Sequence, residues 1–334
     1  MFIVENYLLA VVFCVVTMLC WGSWANTQKL VRKEWRFELF YWDYVLGIFF
    51  ISLFGAFTLG SFGENGRPFL TDIAQADTSN IWSALFGGIV FNLANILLTA
   101  AIAGAGMAVA FPIGIGLALV IGVLINYLLH AKGDPMLLFS GVALITLAII
   151  LNAIAYHRHS RSSSNKSVGK WILVSILAGI LMSTFYPFIA AGMDLENFVT
   201  PMAGKMTPYT ASVVFATGIL ISNLLFNSIL MRRPLEGAPI HYSEYFKGKS
   251  GIHLVGILGG GIWGVGNLFN LIAAGKAGPA ISYGLGQGAT LIAALWGVLI
   301  WKEFKGSSGP VNVLIASMFV LFVVGLGLVI AAGN

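Results

Sequence analysis

Charge is what this sequence most lacks. Asp, Glu, Lys and Arg make up 9% of its 334 residues, where a soluble domain carries about a quarter. An ordinary water-soluble fold is thereby excluded. Short alternating strands are missing too, and the long unbroken apolar runs in their place argue against a transmembrane β-barrel. Cysteine is limited to Cys14 and Cys20, six apart on one predicted helix and so on different faces, which makes a disulfide between them implausible. No HExxH, GxSxG or Walker pattern occurs, and no soluble ATPase domain is present. Gly259, Gly261 and Gly264 satisfy GxGxxG, but inside an apolar run without a preceding strand they read as helix packing. Neither an enzyme nor a cofactor or metal is expected.

What is present is apolar bulk: 58% hydrophobic residues, with 40 glycines and 24 phenylalanines. That composition suits helices packed closely in lipid, where small residues let backbones approach. A spanning helix needs roughly 20 mostly apolar residues, and ten such stretches can be read. They run 8–25, 41–59, 81–103, 107–129, 135–156, 171–192, 212–230, 252–274, 280–301 and 311–332. With no basic leader and no small-residue cleavage site, the first stretch reads as a retained span rather than a signal peptide.

The connections alternate in charge. Odd-numbered loops hold Lys29, Arg32, Lys33, Arg36, Arg158, Arg161, Lys166, Lys170, Arg232, Arg233, Lys247, Lys249, Lys302 and Lys305, against Arg67, Lys132, Lys205 and Lys276 in the even-numbered ones. Basic loops stay in the cytoplasm, so both termini are expected on the outer face of the cell inner (plasma) membrane. The hydrophilic run 157–170 reads as a basic cytoplasmic linker between an N-terminal unit, 1–156, and a C-terminal unit, 171–334.

The two units resemble each other. With an offset of 172, Gly88, Asn95, Ala101, Ala105, Gly106, Ala108, Gly114 and Gly116 fall on Gly260, Asn267, Ala273, Ala277, Gly278, Ala280, Gly286 and Gly288. Each unit has five spans, an odd number, so the second copy must enter the bilayer upside down. The expected fold is therefore an all-α integral membrane protein of ten transmembrane helices, arranged as two inverted five-helix repeats. Such repeats place a solute site near the midplane between halves that rock against each other.

Polar side chains at bilayer depth are costly and point to such a site. Asn92 and Asn95 lie near the middle of the third predicted span, and Trp263 and Asn267 near the middle of the eighth. The alternative reading of the asparagines is interhelical glue, worth about 0.6 kcal/mol on average. Glycine-rich segments around Pro112 and around Tyr283 to Gly288 are places where a helix can bend or unwind, with close helix packing as the alternative reading of the glycines. There Tyr283 and Gln287 would supply polar groups, and Thr184 and Tyr186 make a similar patch in the sixth span. Trp24, in the run Trp21-Gly22-Ser23-Trp24, is either an interfacial anchor or an indole turned inward to stack on a solute. No permanent charge lies deep in any span, so the expected partner, besides the lipid bilayer, is a small neutral polar solute. Asp43, about a turn into the second span, is the leading candidate for proton coupling, with Glu5 and His253 behind it. An alternative for Asp43 is an interfacial pair with Lys33 or Arg36.

These features resemble the drug/metabolite transporter superfamily, and within it the ureide permease branch near the bacterial glucose, ribose and rhamnose porters. The likeness is sharpest in AFPIGIGLALVIGVLINY, which ends at Tyr127, in WGVLIWKEFKGSS from Trp296, and in YWDY around Asp43. It implies proton-linked uptake of a sugar, nucleobase or ureide, with export as the alternative. The chain departs from the plant ureide permeases in its short central loop. It departs from the small multidrug exporters in lacking a glutamate in the first span.

Overall fold

The computed structural model describes residues 1–159 and 168–333. Most of the expected linker, with Arg161 and Lys166, therefore lies outside the described residues. Among the described residues, ten helices are long and apolar enough to cross a membrane: Tyr7–Val31, Phe37–Phe57, Thr78–Ala105, Ala110–Leu129, Pro135–His159, Gly169–Ala191, Pro208–Arg232, Ser250–Ala277, Pro279–Ile300 and Gly309–Ala331. They are called the first to tenth spans below. Among the described residues there is no strand, only an isolated bridge between Met193 and Met206.

Three spans are interrupted. The first bends at Trp24 and continues to Val31, so Lys29 sits on helix rather than in a loop. The sixth breaks at Ser183 and Thr184, whose hydroxyls turn back onto the Ile180 and Leu181 carbonyls. The ninth breaks at Gly288 and ends in a π-helical turn, Trp296–Ile300. The fourth runs unbroken through Pro112, so the helix does not unwind there, although the proline, past the first turn, removes one helix hydrogen bond.

Lipid supplies no hydrophobic drive between helices, so close backbone approach at small residues holds the bundle. Four glycines make the point. A Cβ on Gly260 would lie 1.8 Å from the Tyr44 carbonyl oxygen, and one on Gly88 would lie 2.1 Å from that of Phe215. One on Gly47 would lie 2.1 Å from the Ile257 oxygen, and one on Gly218 would lie 2.2 Å from that of Leu85. The second span thus packs backbone-close on the eighth, and the seventh packs in the same way on the third. Gly106 and Gly278 end the third and eighth spans with nearly equal backbone angles, φ 85° and 82°. A positive φ suits glycine, which has no Cβ to clash.

Gly260→Ala should therefore destabilise the bundle by more than the about 1–3 kcal/mol typical of overpacking, because a carbonyl cannot move aside as a side chain can. Gly261→Ala, whose Cβ would meet nothing within 4 Å, should leave it unchanged. Folded yield and thermal midpoint in detergent check the pair. Equal behaviour of the two variants would contradict the packing argument.

The third and ninth spans are the most buried, and the fifth and tenth the least. The central cavity is lined by the first, third, fourth, sixth, eighth and ninth spans. The fifth and tenth pack on each other at the periphery through Gly141 and Gly325, each of whose added Cβ would meet the other's carbonyl.

Candidate functional site

At mid-depth six spans line a narrow cavity of about 20 Å³, room for about one water. Its wall comes from both halves of the chain. The first span contributes Trp21 and Trp24, the third Phe91, Asn95 and Leu98, and the fourth Phe111 and Ile115. Opposite them stand Met182 and Phe185 of the sixth span, Trp263 of the eighth, and Gln287 and Ala289 of the ninth. No charged residue lines it. Aromatic rings dominate: Trp263 stacks on Trp21 with centroids 5.6 Å apart and 8° between planes, and meets Phe91 at 4.3 Å. Trp24 leans on Tyr44 at 4.7 Å. Against these apolar faces the wall presents two amides, Asn95 and Gln287.

Of the residues expected from the sequence, Trp24, Asn95, Trp263 and Gln287 meet at this cavity. Others are buried nearby and occupied with the protein. Asn92 accepts from Tyr41 Oη at 3.0 Å and donates to Ser222 Oγ at 2.9 Å, so its amide ties the second, third and seventh spans together. Tyr283 Oη donates toward the Met182 and Ala118 carbonyls at 3.0 and 3.2 Å, joining the ninth span to the sixth and fourth. Tyr186 Oη meets Ser282 Oγ at 3.1 Å, and Thr184 Oγ1 caps the break in its own helix. Asn267, one turn beyond Trp263, is buried with neither amide atom hydrogen-bonded among the described residues. An unpaired buried amide costs about 1–3 kcal/mol, a debt that water or a solute would remove.

Phe91, Phe185 and Met182 were not singled out from the sequence. With 24 phenylalanines in the chain, no one of them stands out. The usable signal was that Phe91 lies four residues before Asn95 and so shares its helix face.

Asp43 is not at the cavity. It is buried toward the basic-loop face, where His253 Nδ1 lies 2.9 and 3.0 Å from its two carboxylate oxygens and Tyr245 Oη donates at 2.5 Å. The interfacial alternative, a pair with Arg36, is taken instead by Glu38, whose Oε1 accepts from Arg36 Nη2 at 2.6 Å. The Asp43 cluster joins the second span, the eighth span and the short helix Tyr242–Phe246 between the seventh and eighth. Burial and the Asp43 carboxylate both push the Tyr245 hydroxyl well above its usual range, so it stays a proton donor to that carboxylate. Gly256 makes room for the cluster, since a Cβ there would lie 2.4 Å from that of Asp43.

The two faces of the bundle differ. On the face opposite the basic loops, Arg67 reaches across to the Pro201 carbonyl at 2.6 Å and the Lys205 carbonyl at 2.5 Å while holding Asp72 at 2.8 Å. Gly66 N donates to the Val199 carbonyl, Asp77 N to that of Gly204, and Gly204 N to Gln75 Oε1. The 58–77 connection is thus bonded to the 192–207 connection. At the basic face, by contrast, lie vestibules of about 200 and 320 Å³ that share Gln28 and Arg32.

A ureide permease family model matches residues 40–170 and 158–332. Ureide permease 1 of Arabidopsis thaliana is 24% identical over 392 residues, covering all of this chain and 99% of its own length. Ureide permease 2 of the same plant is 24% identical over 399 residues with the same coverage. A protein named for sugar uptake in Streptococcus pyogenes serotype M6 is 25% identical over 240 residues, or 68% of this chain and 72% of its own. One crystal structure matches 96% of this chain and 97% of its own with a TM-score of 0.58 at 15% identity, a likeness of fold alone.

Proposed function

Because this chain belongs to the ureide permease family, we propose that it carries a small neutral ureide or nucleobase-like solute across the membrane by alternating access between two inverted five-helix halves. It is a multi-pass membrane protein of a transporter family, not an enzyme. One observation carries the solute class: the amides of Asn95 and Gln287 stand in an otherwise aromatic, uncharged wall. A flat, neutral molecule rich in N–H and C=O groups satisfies both features, stacking on indole and phenyl faces and pairing its edge with the amides.

The inverted arrangement is supported by the glycine contacts. Gly88 and Gly260, like Gly47 and Gly218, make equivalent backbone approaches in exchanged partners. Wall residues likewise come from the first, third and fourth spans and from the sixth, eighth and ninth, which are their repeat counterparts. Uptake is the proposed direction, with protons coupled through Asp43 and with the basic face in the cytoplasm and both termini outside. The plasma membrane is the proposed location.

Counterflow in proteoliposomes with labelled uracil, allantoin, ribose, glucose and rhamnose tests the reading. Saturable exchange of uracil or allantoin is the expected result. Exchange of the sugars alone would replace the solute class, and exchange of a cationic dye alone would sink the uptake reading.

A further inference from the structure

The cavities form a row. The central cavity shares Phe111 with a narrow chamber of about 20 Å³ between the fourth, fifth and ninth spans. That chamber shares Tyr156 and Glu303 with the large vestibule at the basic face. Phe111 is thus the inner partition and the Tyr156–Glu303 contact the outer one. Polar groups line the chamber, including Thr290 and Asn152, the latter about nine-tenths buried and without a hydrogen bond to another described residue.

The backbone at the outer partition is shaped to bring Glu303 inward. The ninth span ends in the π-helical turn Trp296–Ile300, a local widening that is frequent at functional sites. Lys302 follows with φ 52°, a left-handed conformation that costs a non-glycine residue of order 1–3 kcal/mol and persists where its surroundings demand it. The reversal lets Glu303 N bond back to the Gly297 carbonyl at 3.0 Å. Gly297 leaves room for this contact: a Cβ there would lie 2.8 Å from Tyr156 Oη and 2.9 Å from Glu303 Oε2, so both side-chain ends would have to shift. The carboxylate then accepts from Tyr156 on one oxygen and from Lys29 Nζ, at 2.6 Å, on the other. Lys29 also sits over the Trp301 ring at 4.1 Å, and Trp301 Nε1 donates to Asn26 Oδ1 at 2.7 Å. One carboxylate therefore latches the end of the ninth span to the first and fifth.

We propose that solute passes between the central cavity and the basic face through this chamber, and that Glu303, held by Lys29 and Tyr156, is the latch that closes it. The passage rests on the transport reading, but the latch is measurable without any solute. With Cys14 and Cys20 replaced by Ala, Asn152→Cys in the full-length detergent-solubilised protein reports on the chamber through its rate of reaction with a water-soluble maleimide. Adding Glu303→Gln should raise that rate about fivefold or more, the scale of population shift that loss of one ion pair produces. Lys29→Met removes the same pair from the other side and should act alike, which keeps the test decisive if one variant does not fold. Rates unchanged in both variants overturn the latch.

For the passage, Lys29→Cys with Glu303→Cys, bridged by a short bifunctional reagent, should stop counterflow of uracil or allantoin, and cleaving the bridge should restore it. Full counterflow in the bridged protein overturns the passage. If the parent protein exchanges none of the solutes, the transport reading fails, while the labelling rates still decide the latch.

Discussion

Asn95→Ala combined with Gln287→Ala is expected to lower solute counterflow by about a hundredfold or more while leaving a folded protein. Each amide paired with the solute leaves a polar group stranded when truncated, at about 1–3 kcal/mol, and about 2.8 kcal/mol already amounts to a hundredfold. Both side chains line the cavity, and the one interhelical side-chain hydrogen bond lost with them is the long contact from Asn95 Nδ2 to Tyr41 Oη, at 3.3 Å. Asn92→Ala is the contrasting variant. It removes the acceptor of Tyr41 and the donor to Ser222, so it should lower the thermal midpoint while affecting the KM of exchange far less. Counterflow measured beside melting curves separates the two cases. If the Asn95 and Gln287 double variant exchanged normally, the cavity would not be the solute site.

Asp43→Asn should abolish accumulation driven by a pH gradient and leave counterflow in place. A carboxylate can take up and release a proton where an amide cannot, yet the amide still accepts the hydrogen bond from Tyr245 and preserves the contact between the second and eighth spans. With one proton per solute, each pH unit of gradient supports about tenfold accumulation, and the variant should fall to an internal-to-external ratio of about one. His253→Gln should impair accumulation as well, because the imidazole bonded to both carboxylate oxygens is the group placed to exchange a proton with Asp43. Accumulation retained in Asp43→Asn would remove the aspartate from coupling. Loss of counterflow as well would make it a structural residue.

Much of the architecture was legible because lipid imposes a simple rule: every spanning segment must satisfy its own backbone, so length and hydropathy locate the helices. Ten stretches were read and ten helices are found, with ends differing by several residues. The largest boundary difference, at the first span, arises because helix continues past Trp24 to Val31 into charged sequence that hydropathy assigns to a loop. The break at Thr184 fell within the polar patch marked in the sixth span, whereas at Pro112 the fourth span stays helical. A proline removes one hydrogen bond, and the bonds on either side can still carry the helix past it.

The candidate site was legible only in part. Asn95, Gln287, Trp24 and Trp263 were marked as polar or amphipathic groups at depth, and they meet at one cavity. Asn92, Tyr186 and Tyr283 carried the same signal but hold the bundle together. Residue type and depth do not reveal whether a neighbour has already consumed a hydrogen-bonding group. That depends on Ser222, 130 residues from Asn92, and on the Met182 carbonyl, 101 residues from Tyr283. The pairing of Asp43 with His253 spans 210 residues and was equally out of reach.

By itself the sequence determined that this chain forms ten helices able to cross a membrane, with little charge in their middles, because hydropathy acts locally along the chain. Only the tertiary structure decided which amides face the cavity and what Asp43 and Glu303 bond to. Each of those depends on partners from other helices, brought together when the backbones of the two halves close on one another at glycine.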